Sequence, residues 1–421
     1  MKVDGIVRVP GDKSISHRSL MLAALAEGSS WIRDILISAD VQSTAAVLRS
    51  LGVNIPPLSA DFRIEGGGPR SLGAPGESLD CGNSGTTTRL MAGIAAACPF
   101  TSRFVGDASL SRRPMQRVAR PLTAMGARFE FEGHDGLPMR VHGARLAPIA
   151  WTTEASSAQI KSAILLAGVT AGVVVEVREP GRSRDHTERM LEAQGAVVDV
   201  DGSRVRLTPP ASGKLRPLSI AVPSDPSSAA FMAALAALAD EGALEIPHVC
   251  LNPTRTGFFR ALEQMGASVE VASGESQGGE LVGTVRVSAS ALRGIDLPPS
   301  EVPSMIDELP LLACLAARAS GTTHVRGASE LRLKESDRIT TVVSNLRAIG
   351  AEAEELPDGF TVTGSGRPLH GRVTTMGDHR IAMAFGVLGA VPGNDVVIDD
   401  PGCVAVSYPA FWDDLRRMVV G

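Results

Sequence analysis

The sequence predicts an α/β chain, α+β in some schemes, folded as two domains, and three observations carry that prediction. A helix-ending hexapeptide recurs roughly every 70 to 85 residues, a spacing that signals repeated structural units. A second family of helices, apolar on nearly every face, alternates with the first. Near the middle, V-P-S-D-P-S-S (222–228) echoes the opening V-P-G-D-K-S (9–14), so the chain uses one device twice.

The hexapeptides are L-R-S-L-G-V (48–53), L-T-A-M-G-A (122–127), L-E-A-Q-G-A (191–196), L-E-Q-M-G-A (262–267) and L-R-A-I-G-A (346–351). Each reads as the last turn of an amphipathic helix stopped by a glycine, which supplies a left-handed cap. Alternating residues such as Ala267-Ser268-Val269-Glu270-Val271 then suit a strand. Counting on from Leu346 reaches 411–420, a truncated sixth copy.

The apolar helices begin near Lys13-Ser14, Asn83-Ser84-Gly85-Thr86, Ser156-Ser157-Ala158-Gln159, Asp225-Pro226-Ser227-Ser228, Asp307-Glu308 and Gly377-Asp378-His379-Arg380. A helix apolar all round must be buried all round, which places these helices inside a layer of sheet and outer helices. The units split into two groups of three. Proline and glycine beside short polar turns suit chain crossings, so hinges are expected near 10–13 and 222–226. One domain then comprises 1–10 plus 226–421, and the second 13–222. Two ordinary surface turns account for the same letters.

With 421 residues and 44% hydrophobic content, the chain can build two sizeable cores. Residues 1–10 carry charges and no sustained apolar run, so neither a secretory signal nor a transit peptide is expected. The longest apolar stretch, around 163–175, is bounded by Lys161 and Glu176 and interrupted by glycines; it reads as a buried helix followed by a strand. Five scattered cysteines, none in C-x-x-C, suggest neither a disulfide framework nor a zinc site, and cytoplasmic thiols are expected. A net charge of -5 with 4% aromatics argues against nucleic-acid binding. Anionic ligands must therefore be met by local clusters of cations.

Those clusters lie where the apolar helices start. Helix N-termini offer free N–H groups and a partial positive charge, and gathered N-termini make an anion site. Lys13 and Arg18, with Ser14 and Ser16, resemble a phosphate or carboxylate grip; helix capping accounts for the serines but not for the two cations. Arg112, Arg113 and Arg117 suit phosphate and carboxylate oxygens, yet a solvated charge run is the commoner fate of such residues. The same ambiguity surrounds R-S-R-D-H-T-E-R (182–189) and N-P-T-R (252–255). In L-R-L-K-E-S-D-R-I (331–339), Glu335 sits among Arg332, Lys334 and Arg338. Cations lower a carboxylate pKa, so Glu335 donates a proton only if burial or substrate charge opposes them. A helix-start salt-bridge network accounts for the same residues. Asp307-Glu308 reads as helix caps or as including a general base. Neither a G-x-x-x-x-G-K-[ST] loop nor metal-ligand spacing occurs.

Taken in order, G-D-K-S-x-x-x-R, G-N-S-G-T-T-x-R, R-R-P-M, S-A-Q-x-K, R-D-H-T-E, N-P-T-R, L-K-E-S-D-R and G-D-H-R closely resemble the 3-phosphoshikimate 1-carboxyvinyltransferase (EPSP synthase) family along essentially the whole chain. The resemblance implies an inside-out α/β barrel in each domain, three βαβαββ units around buried parallel helices. It implies an alkyl- or aryl-group transferase of the shikimate pathway, leading to chorismate and aromatic amino acids. That enzyme moves the enolpyruvyl group of phosphoenolpyruvate to the 5-hydroxyl of shikimate 3-phosphate through a tetrahedral intermediate. It uses no metal or organic cofactor and acts as a cytoplasmic monomer without nucleic-acid or membrane partners.

By the same resemblance, Lys13, Asp307 and Glu335 are catalytic. Lys13, Ser14, Arg18, Ser156, Ser157, Gln159, Asp307 and Lys334 bind shikimate 3-phosphate. Lys13, Asn83, Gly85, Thr86, Arg113, Gln159, Arg338 and Arg380 bind phosphoenolpyruvate; the role of His379 stays open. Two departures stand out. Val406 occupies a position where many members carry a lysine, and Gly85 is retained where some glyphosate-tolerant members have alanine. The motif combination looks like the branch called class II, so glyphosate is expected as a poorly effective inhibitor. The nearest alternative is the UDP-N-acetylglucosamine 1-carboxyvinyltransferase family, which carries a reactive cysteine in a loop ahead of R-P; here 106–114 has none. An inactive anion-binding scaffold is the other. The hinges imply a chain that closes on its substrate to exclude water. Small-angle scattering should therefore register compaction when shikimate 3-phosphate is added, and unchanged dimensions would count against the closure.

Overall fold

The computed structural model describes residues 1–420. The chain divides into two units. One comprises Met1–Pro10, Pro223–Glu275 and residues 281–420; the other comprises Gly11–Val222 and Ser276–Glu280. The sequence assigned 226–421 to a single domain, and the short segment Ser276–Glu280 departs from that. It is the tip of a hairpin whose strands, Ser268–Gln277 and Glu280–Ser288, otherwise belong to the first unit.

In the unit of residues 11–222 the helices are α1 (Lys13–Leu25), α2 (Ala39–Ser50), α3 (Gly85–Ala96), α4 (Ala108–Ser111), α5 (Gln116–Met125), α6 (Ala158–Ala171) and α7 (His186–Ala193). The other unit holds α8 (Pro226–Ala237), α9 (Gly257–Gln264), α10 (Leu309–Ala316), α11 (Arg338–Ala348), α12 (His379–Gly389) and α13 (Phe411–Met418). The apolar helices are α1, α3 and α6 in one unit and α8, α10 and α12 in the other. All residues of α8 and α10 are buried. Each fully enclosed Phe, Leu or Met, such as Phe231, Met232 and Leu235, contributes about 1.5–3 kcal/mol.

The outer helices end as their hexapeptides predict. Gly52, Gly126, Gly195, Gly266 and Gly350 all have positive φ, a region that penalises a Cβ. The next residue donates its N–H back to the first leucine of the motif: Val53 to Leu48, Ala127 to Leu122, Ala196 to Leu191, Ala267 to Leu262 and Ala351 to Leu346, at 2.9–3.1 Å. The truncated sixth copy is α13, which runs without such a glycine into the two-residue strand Val419–Val420.

Three sheets accompany each trio of apolar helices, and each contains a parallel strand pair. A parallel pair needs a crossover, and four of the crossovers are single apolar helices. Leu79–Asp80 and Thr101–Val105 flank α3, Ile149–Thr152 and Val175–Arg178 flank α6, Asp296–Leu297 and Thr322–Val325 flank α10, and His370–Val373 and Asp395–Ile398 flank α12. The other two crossovers exchange strands. Lys2–Ile6 precedes α1 in the chain but pairs with Glu241–Cys250, the strand after α8. Ser219–Ala221 precedes α8 but pairs with Glu27–Arg33, the strand after α1. The crossings at 10/11 and 222/223 follow from this exchange. Among the described residues no helix is long and apolar enough to cross a membrane.

Helices α3 and α6 meet backbone to backbone. A Cβ on Gly93 would lie 2.3 Å from the Ala163 carbonyl oxygen, so only glycine fits. Gly93→Ala is expected to destabilise the chain by about 1–3 kcal/mol through overpacking. That loss outweighs the roughly 1 kcal/mol that alanine gains in helix propensity. Urea unfolding would check it, and an unchanged midpoint would disprove the close approach.

Candidate active site

Four apolar helices open on a side chain that accepts from a backbone N–H of the first turn: Asp12 from Ile15 (2.8 Å), Ser84 from Thr87 (3.1 Å), Asp225 from Ser227 (2.8 Å) and Asp378 from Arg380 (2.9 Å). These caps hold the first turns rigid and leave the charged side chains beside them to define the local chemistry.

In the unit of residues 11–222, α1 begins with Lys13, whose ammonium pairs with Asp40 in the first turn of α2. One turn on, Arg18 is only 3% exposed. Its Nε donates to Thr187 Oγ1 at 2.7 Å, Nη1 to the Ser14 carbonyl at 2.9 Å and Nη2 to Ser162 Oγ at 2.7 Å. Arg18 thus braces Ser14 against α6 and α7. Its neighbour His17 is buried with Nδ1 2.6 Å from Thr44 Oγ1; burial first, then Lys13 and Arg18, hold its pKa well below the ordinary value, so the imidazole is neutral at pH 7.

The starts of α3 and α6 meet directly. Gln159 Nε2 donates to Thr86 Oγ1 at 3.1 Å, and Arg89 Nη1 donates to Gln159 Oε1 at 2.7 Å. Arg113, from the loop after α4, donates to Asn83 Oδ1 at 2.6 Å. A Cβ on Gly85 would stand 2.9 Å from Arg89 Nη1 and 3.3 Å from Arg113 Nη1. Two guanidinium groups therefore converge over the first residue of α3, where positive charge and helix N–H groups together suit an anion.

Beside them, Ser156 Oγ accepts from the Gly181 N–H at 2.9 Å, and the Ser157 N–H donates to Glu179 at 2.9 Å. Lys161 is 1% exposed and ion-paired to Glu179 and Glu188 at 2.8 and 2.9 Å. Burial pulls the Lys161 pKa down, but the two carboxylates outweigh it and hold it above the ordinary value; burial pushes Glu188 up against the pull of Lys161. The lysine of S-A-Q-x-K and the glutamate of R-D-H-T-E are thus each other's internal partners. Arg182 and Arg189 both pair with Asp185 at 2.9 Å, a network at the start of α7.

The other unit gathers carboxylates around one cation. Arg338, the first residue of α11, is 1% exposed. Its Nε donates to Asp378 at 2.8 Å, Nη1 to Asp307 at 3.0 Å and Nη2 to Glu335 at 2.6 Å. Burial pulls its pKa down, but Asp378, Glu335 and Asp307 raise it well above the ordinary arginine value. Lys334 Nζ lies 3.4 Å from Asp307. The side chain of Glu308, the N-cap of α10, makes no capping bond, and the Asp307 carboxylate accepts from Arg338. Arg380 pairs with Glu308 at 3.3 Å, which brings the starts of α10 and α12 together. His379, beside it, is buried. Val406 closes a short 3-10 helix, Pro401–Val406.

Two arginines of the motifs read as ambiguous hold helix starts. Arg255 of N-P-T-R is 2% exposed and donates to Asp225 and Ser227, both at 2.9 Å, locking the start of α8. Arg332 donates to Asp337, Thr340, Glu355 and two backbone carbonyls, tying the start of α11 to the strand Glu352–Leu356.

A model of the family described as EPSP synthase (3-phosphoshikimate 1-carboxyvinyltransferase) matches residues 1–415. The chain belongs to the EPSP synthase family. Members similar to it include the 3-phosphoshikimate 1-carboxyvinyltransferases of Sulfurihydrogenibium sp., 46% identical over 99% of this chain and 97% of that protein, and of Aquifex aeolicus, 44% identical over 99% and 98%. The solved EPSP synthase of Acinetobacter baumannii superposes with a TM-score of 0.87 at 40% identity, covering 99% of this chain and 96% of that one. The enolpyruvyl transferase NikO of Streptomyces tendae, 18% identical with a TM-score of 0.77, shares the fold.

Within this EPSP synthase family member, sequence reasoning missed Asp40, Asp378 and Glu308 as partners of the expected cations. Asp40 is an acid in a helix's first turn, where acids are common, and carried no signal. Asp378 was visible in G-D-H-R, but only its capping role could be read.

Four of the five cysteines are held as protonated thiols by burial. Burial pushes Cys81 up to about 12, Cys98 to about 11 and Cys403 to about 12, and raises Cys314 as well. Iodoacetamide at neutral pH is expected to leave these four unmodified until the chain is denatured, because the thiolate is the reactive form. Mass spectrometry would check this; rapid alkylation of any of them in the folded protein would contradict it.

Proposed function

We propose that this chain transfers the enolpyruvyl group of phosphoenolpyruvate to the 5-hydroxyl of shikimate 3-phosphate and releases inorganic phosphate. Family membership over the full chain supports the reading. The observation that carries it is the pair of carboxylates, Asp307 and Glu335, held on adjacent nitrogens of one buried guanidinium. Addition needs one group to take the hydroxyl proton and another to protonate the methylene carbon; Arg338 fixes both carboxylates for those two roles.

In this reading Asp307 takes the 5-hydroxyl proton as its oxygen bonds to the central carbon of phosphoenolpyruvate. Glu335 gives a proton to the methylene, forming the tetrahedral intermediate. Removal of a methyl proton, cleavage of the carbon–oxygen bond to phosphate and reformation of the double bond complete the exchange. Lys13 assists these transfers, and Lys334 binds the shikimate side. Ser14, Ser156, Ser157 and Gln159 hold shikimate 3-phosphate, with Arg18 acting through Ser14. Asn83, Gly85, Thr86, Arg113 and Arg380 hold phosphoenolpyruvate. Arg338 is engaged by three carboxylates, so its role is first to position them and then to oppose the substrate's charge. Cytoplasmic location, a monomeric state and tolerance of glyphosate belong to the same proposal. The absence of a cysteine in loop 106–114 and the raised Cys98 pKa weigh against a UDP-sugar acceptor.

Phosphate release by the purified chain is expected with phosphoenolpyruvate plus shikimate 3-phosphate and not with UDP-N-acetylglucosamine. Glyphosate should inhibit only weakly. Asp307→Ala and Glu335→Gln should each lower kcat by about 10²–10⁴-fold, the usual contribution of general acid–base groups. Release only with the sugar nucleotide would overturn the substrate assignment, and release with neither would overturn the activity.

A further inference from the structure

The hairpin of Ser268–Gln277 and Glu280–Ser288 turns through Gly278 and Gly279, both at positive φ, as a tight two-residue turn requires. Its tip, Ser276–Glu280, counts with the unit of residues 11–222 although its strands count with the other. The tip is seated against that unit's own side chains. A Cβ on Gly278 would lie 2.6 Å from Ile220 Cδ1, and one on Gly279 would lie 3.3 Å from Arg189 Cβ. Arg189 Nη1 donates to the Gly279 carbonyl at 3.1 Å.

Glu280 is fully buried, with Oε1 2.6 Å from Nδ1 of His186, itself fully buried, and Oε2 3.7 Å from Arg189 Nε. Burying a carboxylate costs several kcal/mol unless its partners are well placed, so a bare anchoring role would be served more cheaply by an apolar side chain. The position of His186 shows what the pairing controls. It is the first residue of α7, and the next residue, Thr187, accepts from Arg18 Nε and shares a 2.7 Å hydrogen bond with Ser162. Arg18 in turn holds the Ser14 carbonyl.

We propose that Glu280 is a positioning residue for the shikimate 3-phosphate grip, acting through His186 and Thr187 on Arg18 and Ser14. The chain of contacts is Glu280 to His186 at 2.6 Å, one peptide step to Thr187, 2.7 Å to Arg18 and 2.9 Å to Ser14. This inference rests on the reading that Ser14 and Arg18 serve shikimate 3-phosphate.

The test measures kcat and both KM values by phosphate release, with a thermal melt, for Glu280→Ala, Glu280→Gln, Glu280→Asp and Ser14→Ala in the full chain. Glu280→Ala is expected to raise the KM for shikimate 3-phosphate about tenfold and to leave that for phosphoenolpyruvate within about twofold, since tenfold corresponds to the loss of one modest contact. Glu280→Gln, whose amide oxygen still accepts from Nδ1, should recover most of the loss. If the alanine variant does not fold, Glu280→Asp, which withdraws the carboxylate by one methylene, should show about a threefold rise. A fall in kcat alone with both KM values unchanged would mean lost folded protein and overturn the proposal. An effect of Ser14→Ala on the shikimate 3-phosphate KM without one from Glu280→Ala would overturn it while leaving the grip intact. No effect of Ser14→Ala would remove the reading beneath it.

Discussion

The constraint behind the rest of the structure is that α1, α3, α6, α8, α10 and α12 have no face fit for water. Such helices cannot lie on the outside of a sheet. They must be enclosed by sheets and amphipathic helices, and the strands flanking α3, α6, α10 and α12 pair in parallel across the single helix that separates them. Only their ends can be polar. The N-terminal turns, with unmet N–H groups and partial positive charge, are where these apolar bodies can meet charged groups at low cost. Placing cations and carboxylates there is a consequence of enclosing the helices and does not depend on any one substrate.

Those ends are held by ionic contacts of two kinds. In the unit of residues 11–222, the guanidinium groups of Arg89 and Arg113 converge over Gly85, while Lys161 is internally neutralised by Glu179 and Glu188. In the other unit a single guanidinium serves Asp307, Glu335 and Asp378. Burying one charge with several opposite ones is costly in isolation and tolerable when each partner also faces another cation or donor. Lys334 on Asp307 and Ser336 on Asp378 fill that need. The arrangement fixes the geometry of the carboxylates before any ligand arrives, which is what preorganised proton transfer requires.

Much of this was legible in the letters. The glycine stops, the starts of the apolar helices and the pairing of residues 2–6 with the second half were readable because each rests on local chemistry: a left-handed cap, a missing polar face, a repeated proline turn. The individual charges were harder. Arg18 and Arg338 look alike in sequence, cations at helix starts, yet one braces a backbone carbonyl and the other collects carboxylates from three segments. Arg255 was read with the same doubt and holds the start of α8. What decides among such fates is which distant side chain arrives opposite, and Asp40 and Glu280 come from segments whose own patterns announce nothing. The hairpin tip escaped for the same reason, since G-G between two strands specifies a turn and not its landing place.

The exchanged strand Lys2–Ile6 bears on how the chain is made. It precedes residues 11–222, yet its parallel partner, Glu241–Cys250, is synthesised only after them, and its antiparallel partner, Val419–Val420, follows later still. An unpaired strand waiting for so distant a partner is an invitation to mispair. This one is short, carries Lys2 and Asp4, and turns only Val3 toward the core. Closing so long a loop adds little entropy beyond that of a shorter one, because the penalty grows only logarithmically. The strand can thus wait unpaired while residues 11–222 are made, and the core it serves is completed only when Glu241–Cys250 has followed.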